Sequence, residues 1–125
     1  MIDHVSLRTS DFAKAKDFYT KALAPLGYSV IKEFPEYGVA GLGAGGMADL
    51  WINGKGTEDE THIALRATDK SQVDGFYKAA LAAGGTDNGA PGYRKNYSPG
   101  FYAAFVKDMD GHNIEVVFHD PNPSE

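Results

Sequence analysis

Apolar and polar residues alternate at the start of the chain. Over residues 2–8, Val5 and Leu7 fall on one side and His4, Ser6 and Arg8 on the other, the period of a half-buried strand. The period then lengthens. Ala15, Phe18, Tyr19, Ala22, Leu23 and Leu26 recur at three-four spacing and predict a helix capped by Ser10 or Asp11 and ended by Pro25 and Gly27. Runs at 28–34, 37–42 and 47–53 predict three more strands and complete a βαβββ module over residues 1–53. The same order restarts in a second module, residues 61–119. It has a strand at 61–67, then a helix with a Val73, Phe76, Tyr77, Ala80, Leu81 stripe, capped by Thr68 or Asp69 and stopped by Gly84-Gly85. Strands near 92–97, 101–107 and 113–119 follow, the last two joined by a hairpin at Asp110-Gly111. The Gly-, Pro- and Tyr-rich stretch 86–100 is expected to form a mobile substrate loop. The link 54–60 is short and polar, and the tail 120–125 is expected to be loose.

The two modules are one motif written twice. At an offset of 58, His4-Val-Ser-Leu-Arg8 lands on His62-Ile-Ala-Leu-Arg66, and 10 of the 24 positions from His4 to Gly27 are identical without a gap. Matched apolar residues could reflect two unrelated strand–helix units; matched histidines, arginines and aspartates argue for duplication.

Composition narrows the function classes. The 125 residues suit one domain, and 42% hydrophobic with 23% charged content reads as globular. A net charge of −5 argues against nucleic acid and against anionic membrane surfaces, and leaves cationic or neutral small molecules open. The chain has no cysteine for disulfides or thiolate chemistry, no leader-like start and no long apolar span, so a cytoplasmic location is expected.

The strand parity then isolates four polar positions. Asp49, Trp51 and Asn53 share one face of the fourth strand, and Glu115, Val117 and His119 one face of the last. Asp49 and Glu115 are repeat partners, at an offset of 66. Each module thus offers one histidine and one carboxylate, His4 with Asp49 and His62 with Glu115, on the polar side of its strands. Such donors suit a divalent metal (Ni, Zn, Co, Mn or Fe) and leave open positions for substrate. The plainer alternative is a pair of hydrogen-bonded structural histidines beside surface carboxylates. His112 is expected to be a solvated turn residue, His119 a surface histidine, and Arg8 and Arg66 rim residues. Trp51 would line the site. Arg94, Tyr97 and Tyr102 could clamp an anionic or aromatic substrate.

The chain resembles the vicinal oxygen chelate superfamily: glyoxalase I, extradiol dioxygenases, and the fosfomycin- and bleomycin-resistance proteins. The resemblance spans nearly the whole sequence. It rests on Ile2-Asp3-His4-Val5, Phe18-Tyr19 and Asp108-Met109-Asp110-Gly111-His112-Asn113-Ile114-Glu115, with Met109 where proline is usual. It implies an α+β fold of two βαβββ modules forming an open cup, usually in a homodimer, around one divalent metal. His4, His62 and Glu115 would be ligands, and Asp49 takes the place of a glutamate ligand as a water-mediated ligand or base. Phe105 stands where extradiol and fosfomycin enzymes keep a tyrosine, and Ser124 where fosfomycin enzymes keep an arginine, which disfavours both. What the resemblance leaves is a metal-dependent glyoxalase-like lyase or isomerase on a small substrate with adjacent oxygens, with Asp49 or Glu115 as catalytic base and Phe105 among the substrate contacts. The alternative is a metal-free, bleomycin-resistance-type protein that binds a cationic or amphipathic small molecule.

Overall fold

A computed structural model describes residues 1–56 and 59–123. Two residues of the link (Thr57, Glu58) and the last two of the tail (Ser124, Glu125) lie outside the described residues. The elements run β1 (Val5–Arg8), α1 (Phe12–Ala22), β2 (Ser29–Phe34), β3 (Val39–Gly43), β4 (Leu50–Asn53), β5 (His62–Arg66), α2 (Lys70–Ala82), β6 (Thr86–Tyr93), β7 (Phe101–Lys107) and β8 (Asn113–His119). Of the two cap candidates for each helix, the aspartate acts. Asp11 accepts from the Lys14 N–H at 3.1 Å and Asp69 from the Gln72 N–H at 2.9 Å.

The duplication is visible in the wiring. One sheet has the order β1-β4-β3-β2 and the other β5-β8-β7-β6, each with its first strand parallel to its last and the rest antiparallel. In each sheet the first strand is an edge. α1 packs on β3 and β4, α2 on β6, β7 and β8, and the helices pack on each other. One apolar core results, with Phe18, Leu23 and Phe76 of the helices filling the space between Leu42, Leu50 and Ile52 of one sheet and Val106, Ile114 and Val116 of the other. The opposite face of each sheet points away from this core. These open faces carry the polar positions singled out by parity.

Two expectations need correction. The stretch 86–100 is not one long loop, and the strand expected near 92–97 lies earlier: Thr86–Tyr93 is an edge strand paired with β7, with a turn at 95–97. It absorbs its glycines and Pro91 through two register shifts, with Gly89 at φ +150°, as an edge strand can. His112 is not a solvated turn residue either. It is 2% exposed, its Nε2 donates to Arg8 O at 2.8 Å and its Nδ1 accepts from the Thr61 N–H at 2.9 Å. Both ring nitrogens are used, and the neutral tautomer is fixed by that pattern.

The hairpin containing His112 ties the modules together. Asp108, 5% exposed, accepts the Asp110 and His112 N–H groups at one oxygen and the Tyr19 hydroxyl of α1 at the other. Asp110 accepts the hydroxyls of Thr9 and Ser10 and the Ser10 N–H, just beyond β1. Burial pushes the Tyr19 phenol up, and the facing Asp108 adds to it. For Asp110, burial pulls upward but the Thr9 and Ser10 bonds outweigh it, so the carboxyl lies below its usual range. Asp108→Ala strands three donors, two of them main-chain, and is expected to lower unfolding stability by about 2–3 kcal/mol in urea titrations. A loss no larger than that of an exposed Asp→Ala change, such as Asp17→Ala, would show that the hairpin does not join the modules.

Candidate functional site

Strand register places the second half-site. On the open face of the second sheet, Ala64, Glu115, Phe105 and Gly89 form one row across β5, β8, β7 and β6, with His62 one residue pair along β5. Small residues at Ala64, Ala103, Gly89 and Gly92 keep the floor low. Glu115 is 5% exposed although it lies on that face. Its Oε1 meets His62 Nε2 at 3.1 Å, and its Oε2 is buried with no hydrogen-bond partner among the described residues.

The protons of this pair can be traced. His62 Nδ1 lies 2.9 Å from Asn113 O. A carbonyl only accepts, so Nδ1 carries the hydrogen. In a neutral imidazole that leaves the Nε2 lone pair aimed at a carboxylate oxygen, which is repulsive unless a proton or a cation lies between. A backbone carbonyl holding one imidazole nitrogen so that the other presents its lone pair is the usual arrangement behind a metal-binding histidine. The lone pair, the facing Oε1 and the orphaned Oε2 therefore fit a cation. Burial raises the Glu115 carboxyl above its usual range, against opposing pulls from His62, Arg94 and His119.

The first half-site differs. Asp49 accepts from the Tyr28 hydroxyl at 2.7 Å, a partner that alternation alone did not suggest. Burial and Asp49 together push the Tyr28 phenol upward. His4 is half-exposed and its Nδ1 pairs with neighbouring Asp3. Trp51 lies flat on Gly41, its register partner on β3, where a Cβ would come within 2.8 Å of the indole. That glycine makes room for the ring on the open face.

His4, Asp49 and His62 line one cleft of about 600 Å³ between the edge strands β1 and β5. The expectation that all four groups converge is not met within one chain. Among the described residues, the only trio of His, Asp or Glu with ligand atoms mutually within 4.8 Å is Asp108, Asp110 and His112. Those atoms are close enough for one cation to reach, but His112 has no ring nitrogen left to give and both carboxylates are engaged in the inter-module hairpin. Of the substrate-contact candidates, Arg94 and Phe105 lie on the open face, with the guanidinium 5.4 Å from the ring centre. Tyr97, largely exposed, sits at its rim edge-on to Phe101. Tyr102 points the other way: its hydroxyl donates to Asp74 of α2 at 2.7 Å and its ring joins the core, as its even position on β7 requires.

A raised folded-state carboxyl means that the folded chain holds a proton the unfolded chain has lost. Metal-free protein should therefore lose stability as pH rises from the ordinary glutamate range through the higher folded value of Glu115. Glu115→Gln removes this cost and can donate its amide hydrogen to the His62 lone pair. In metal-free protein the variant should melt a few degrees above wild type at pH 8, the gap closing by pH 4. A variant less stable than wild type at pH 8 would contradict the protonation argument.

Comparison with known proteins gives the family and the fold. The sequence profile of the glyoxalase/bleomycin resistance protein/dioxygenase superfamily matches residues 1–116. A glyoxalase/bleomycin resistance protein from Albidiferax ferrireducens T118 is 23% identical, with a TM-score of 0.77 and coverage of 93% of this chain and 96% of its own. Lactoylglutathione lyase from Agrobacterium tumefaciens is 19% identical, with a TM-score of 0.70 over 94% of this chain and 92% of that one. TioX from Micromonospora sp. ML1 is 19% identical, with a TM-score of 0.72 over 95% and 98%. At these identities the likeness establishes fold, not activity. No curated protein matches the sequence significantly. Among the described residues, no helix is long and apolar enough to cross a membrane. The chain belongs to the glyoxalase/bleomycin resistance protein/dioxygenase superfamily.

Proposed function

We propose that the protein is a metal-dependent lyase or isomerase of the glyoxalase type, acting on a small substrate with adjacent oxygens. The observation that carries this reading is the buried Glu115 carboxyl, which has one oxygen unpartnered among the described residues and His62 Nε2 facing its other oxygen. His62 and Glu115 form one half of the ligand set and His4 the other. One chain lines a common cleft with His4, Asp49 and His62 but does not gather His4, His62 and Glu115 at ligand distance, so in this reading the complete site is built in a homodimer, with β1 of one copy against β5 of its partner. When bound, a divalent cation supplies Lewis acidity for a substrate carbonyl. Asp49, held at one oxygen by Tyr28, keeps its second oxygen for accepting and returning a substrate proton. Trp51 and Phe105 wall the apolar part of the substrate, and Arg94 and Tyr97 border it.

The orphaned oxygen would also accept the ammonium group of a cationic ligand, which keeps the metal-free binding protein as the second reading. Metal titration separates the two. Thermal shift with Ni²⁺, Zn²⁺, Co²⁺, Mn²⁺ and Fe²⁺ should show stabilisation by at least one ion, abolished in His62→Ala. No response to any ion overturns the metal-dependent reading in favour of the binder.

The shared site makes a distinct prediction. His4→Ala and His62→Ala chains should each lose high-affinity metal binding. Unfolded together and refolded, they should regain about a quarter of the wild-type sites, because statistical pairing makes half the dimers mixed and each mixed dimer has one intact site. No recovery in a mixture confirmed to contain mixed dimers would show that the halves do not meet across chains.

A further inference from the structure

Arg94 stands on the open face of the second sheet without an acidic partner. The chain carries 17 acidic and 12 basic residues, yet this half-buried guanidinium makes no ion pair among the described residues. Removing a cation from water without a counter-charge is costly. Here the cost is offset by neutral contacts. Nη1 donates to Gly92 O and Nη2 to Ala90 O, both at 2.8 Å, and the planar group lies against the Phe105 ring.

The local sequence is shaped for this pose. At Gly89 a Cβ would stand 3.0 Å from Nη2 and 3.0 Å from the Phe105 ring, and at Gly92 it would stand 3.3 Å from Nη1. Gly89 also occupies the positive-φ position of a register shift that bends β6. The edge strand gives up regular pairing and side chains there, and in the space Arg94 folds back over the sheet. Two carbonyls take two of its five hydrogens, which fixes the plane of the fork and leaves the remaining donors for an acceptor.

Phe105 carries a second polar group. The His62 ring is stacked on it with centroids 6.4 Å apart, so the guanidinium and the imidazole are anchored to one aromatic spacer. A ligand lying along that ring would run from one group towards the other. The charge of Arg94 is also felt at Glu115, where it opposes the effect of burial.

We propose that Arg94 is the subsite for a carboxylate on the substrate, and that the ligand is therefore a small oxo acid whose carbonyl oxygen lies at the His62–Glu115 pair. The assignment of the carbonyl rests on the metal-dependent reading above; the assignment of the carboxylate rests on Arg94 and its cradle. A neutral or cationic ligand would leave the guanidinium as it stands now, half-buried and without an ion pair among the described residues. An acid supplies that counter-charge through charge-assisted hydrogen bonds.

The test uses pyruvate, acetoacetate and levulinate, whose carbonyls stand progressively further from the carboxylate, with their primary amides as uncharged counterparts. Binding is measured by calorimetry on full-length protein, with and without Mn²⁺, for wild type, Arg94→Gln and Arg94→Lys. At least one acid should bind wild type about tenfold or more tighter than its amide. Arg94→Gln should abolish that preference by weakening the acid, and Arg94→Lys, which keeps the charge but not the fork, should retain part of it. Equal affinity of acids and amides for wild type, no binding of any acid, or a preference that survives in Arg94→Gln would overturn the proposal. Mn²⁺ titration of wild type reports separately on the metal-dependent reading, so an acid preference without Mn²⁺ binding would sink that reading and spare the carboxylate subsite.

Discussion

The geometry of the cleft depends on one buried carboxylate. Asp108 gathers the β7–β8 hairpin with two main-chain N–H groups and reaches α1 through the Tyr19 hydroxyl. The same hairpin grips the end of β1 through Arg8 O, Thr9 and Ser10, and the start of β5 through the Thr61 N–H. Apolar packing between α1 and α2 supplies attraction but little direction, since hydrophobic burial is insensitive to small rotations. Directional bonds at a single hairpin fix how the end of β1 stands relative to the start of β5. The cleft lies between those two edge strands.

Asp108 and Glu115 form an informative pair. Both are about 5% exposed, and they lie seven residues apart in one strand-turn-strand unit. Asp108 has donors at both oxygens. Glu115 has His62 Nε2 at one oxygen and, among the described residues, no hydrogen-bond partner at the other. A buried acid with its acceptors filled stabilises a structure, whereas one left open costs free energy in the isolated chain and is retained for something that binds. This contrast distinguishes the hairpin carboxylates from the open-face one, although the hairpin trio is the more closely gathered.

Much of this was legible along the chain. Alternation assigned Glu115 and His62 to the polar side of their strands, and the structure has them in contact, because parity is a local property of extended backbone. The Asp11 and Asp69 caps are local for the same reason. What could not be read is what depends on rotation of one module against the other. Parity puts His4 and His62 each on a named face, yet it carries no information on whether those faces meet. His112 was misjudged because its two partners, Arg8 and Thr61, are 104 and 51 residues away, and a turn residue with distant partners looks like any solvated one. β6 was hidden because the glycines and Pro91 that break its pairing pattern are the usual marks of a loop. A search for glycines facing an arginine two to five residues on would have pointed to the cradle at Gly89 and Gly92.

The duplicated halves have diverged in a way that suits a division of labour. Glu115 sits deep in the open face, with His62 at one oxygen and no hydrogen-bond partner at the other among the described residues. Its repeat partner Asp49 is one methylene shorter and is steadied by Tyr28 from outside the strand. A hydroxyl that occupies one oxygen of a carboxylate reduces its freedom to chelate and fixes the direction of the other lone pairs. The deep, unsatisfied acid is suited to hold a cation, and the shallow, oriented one to handle a proton. The walls differ accordingly, with Trp51 laid over Gly41 in one half and Phe105 between His62 and Arg94 in the other. Two copies of one gene segment, kept in register at His4 and His62, have thus come to present unlike surfaces. In the proposed homodimer these unlike surfaces would face each other across each shared site.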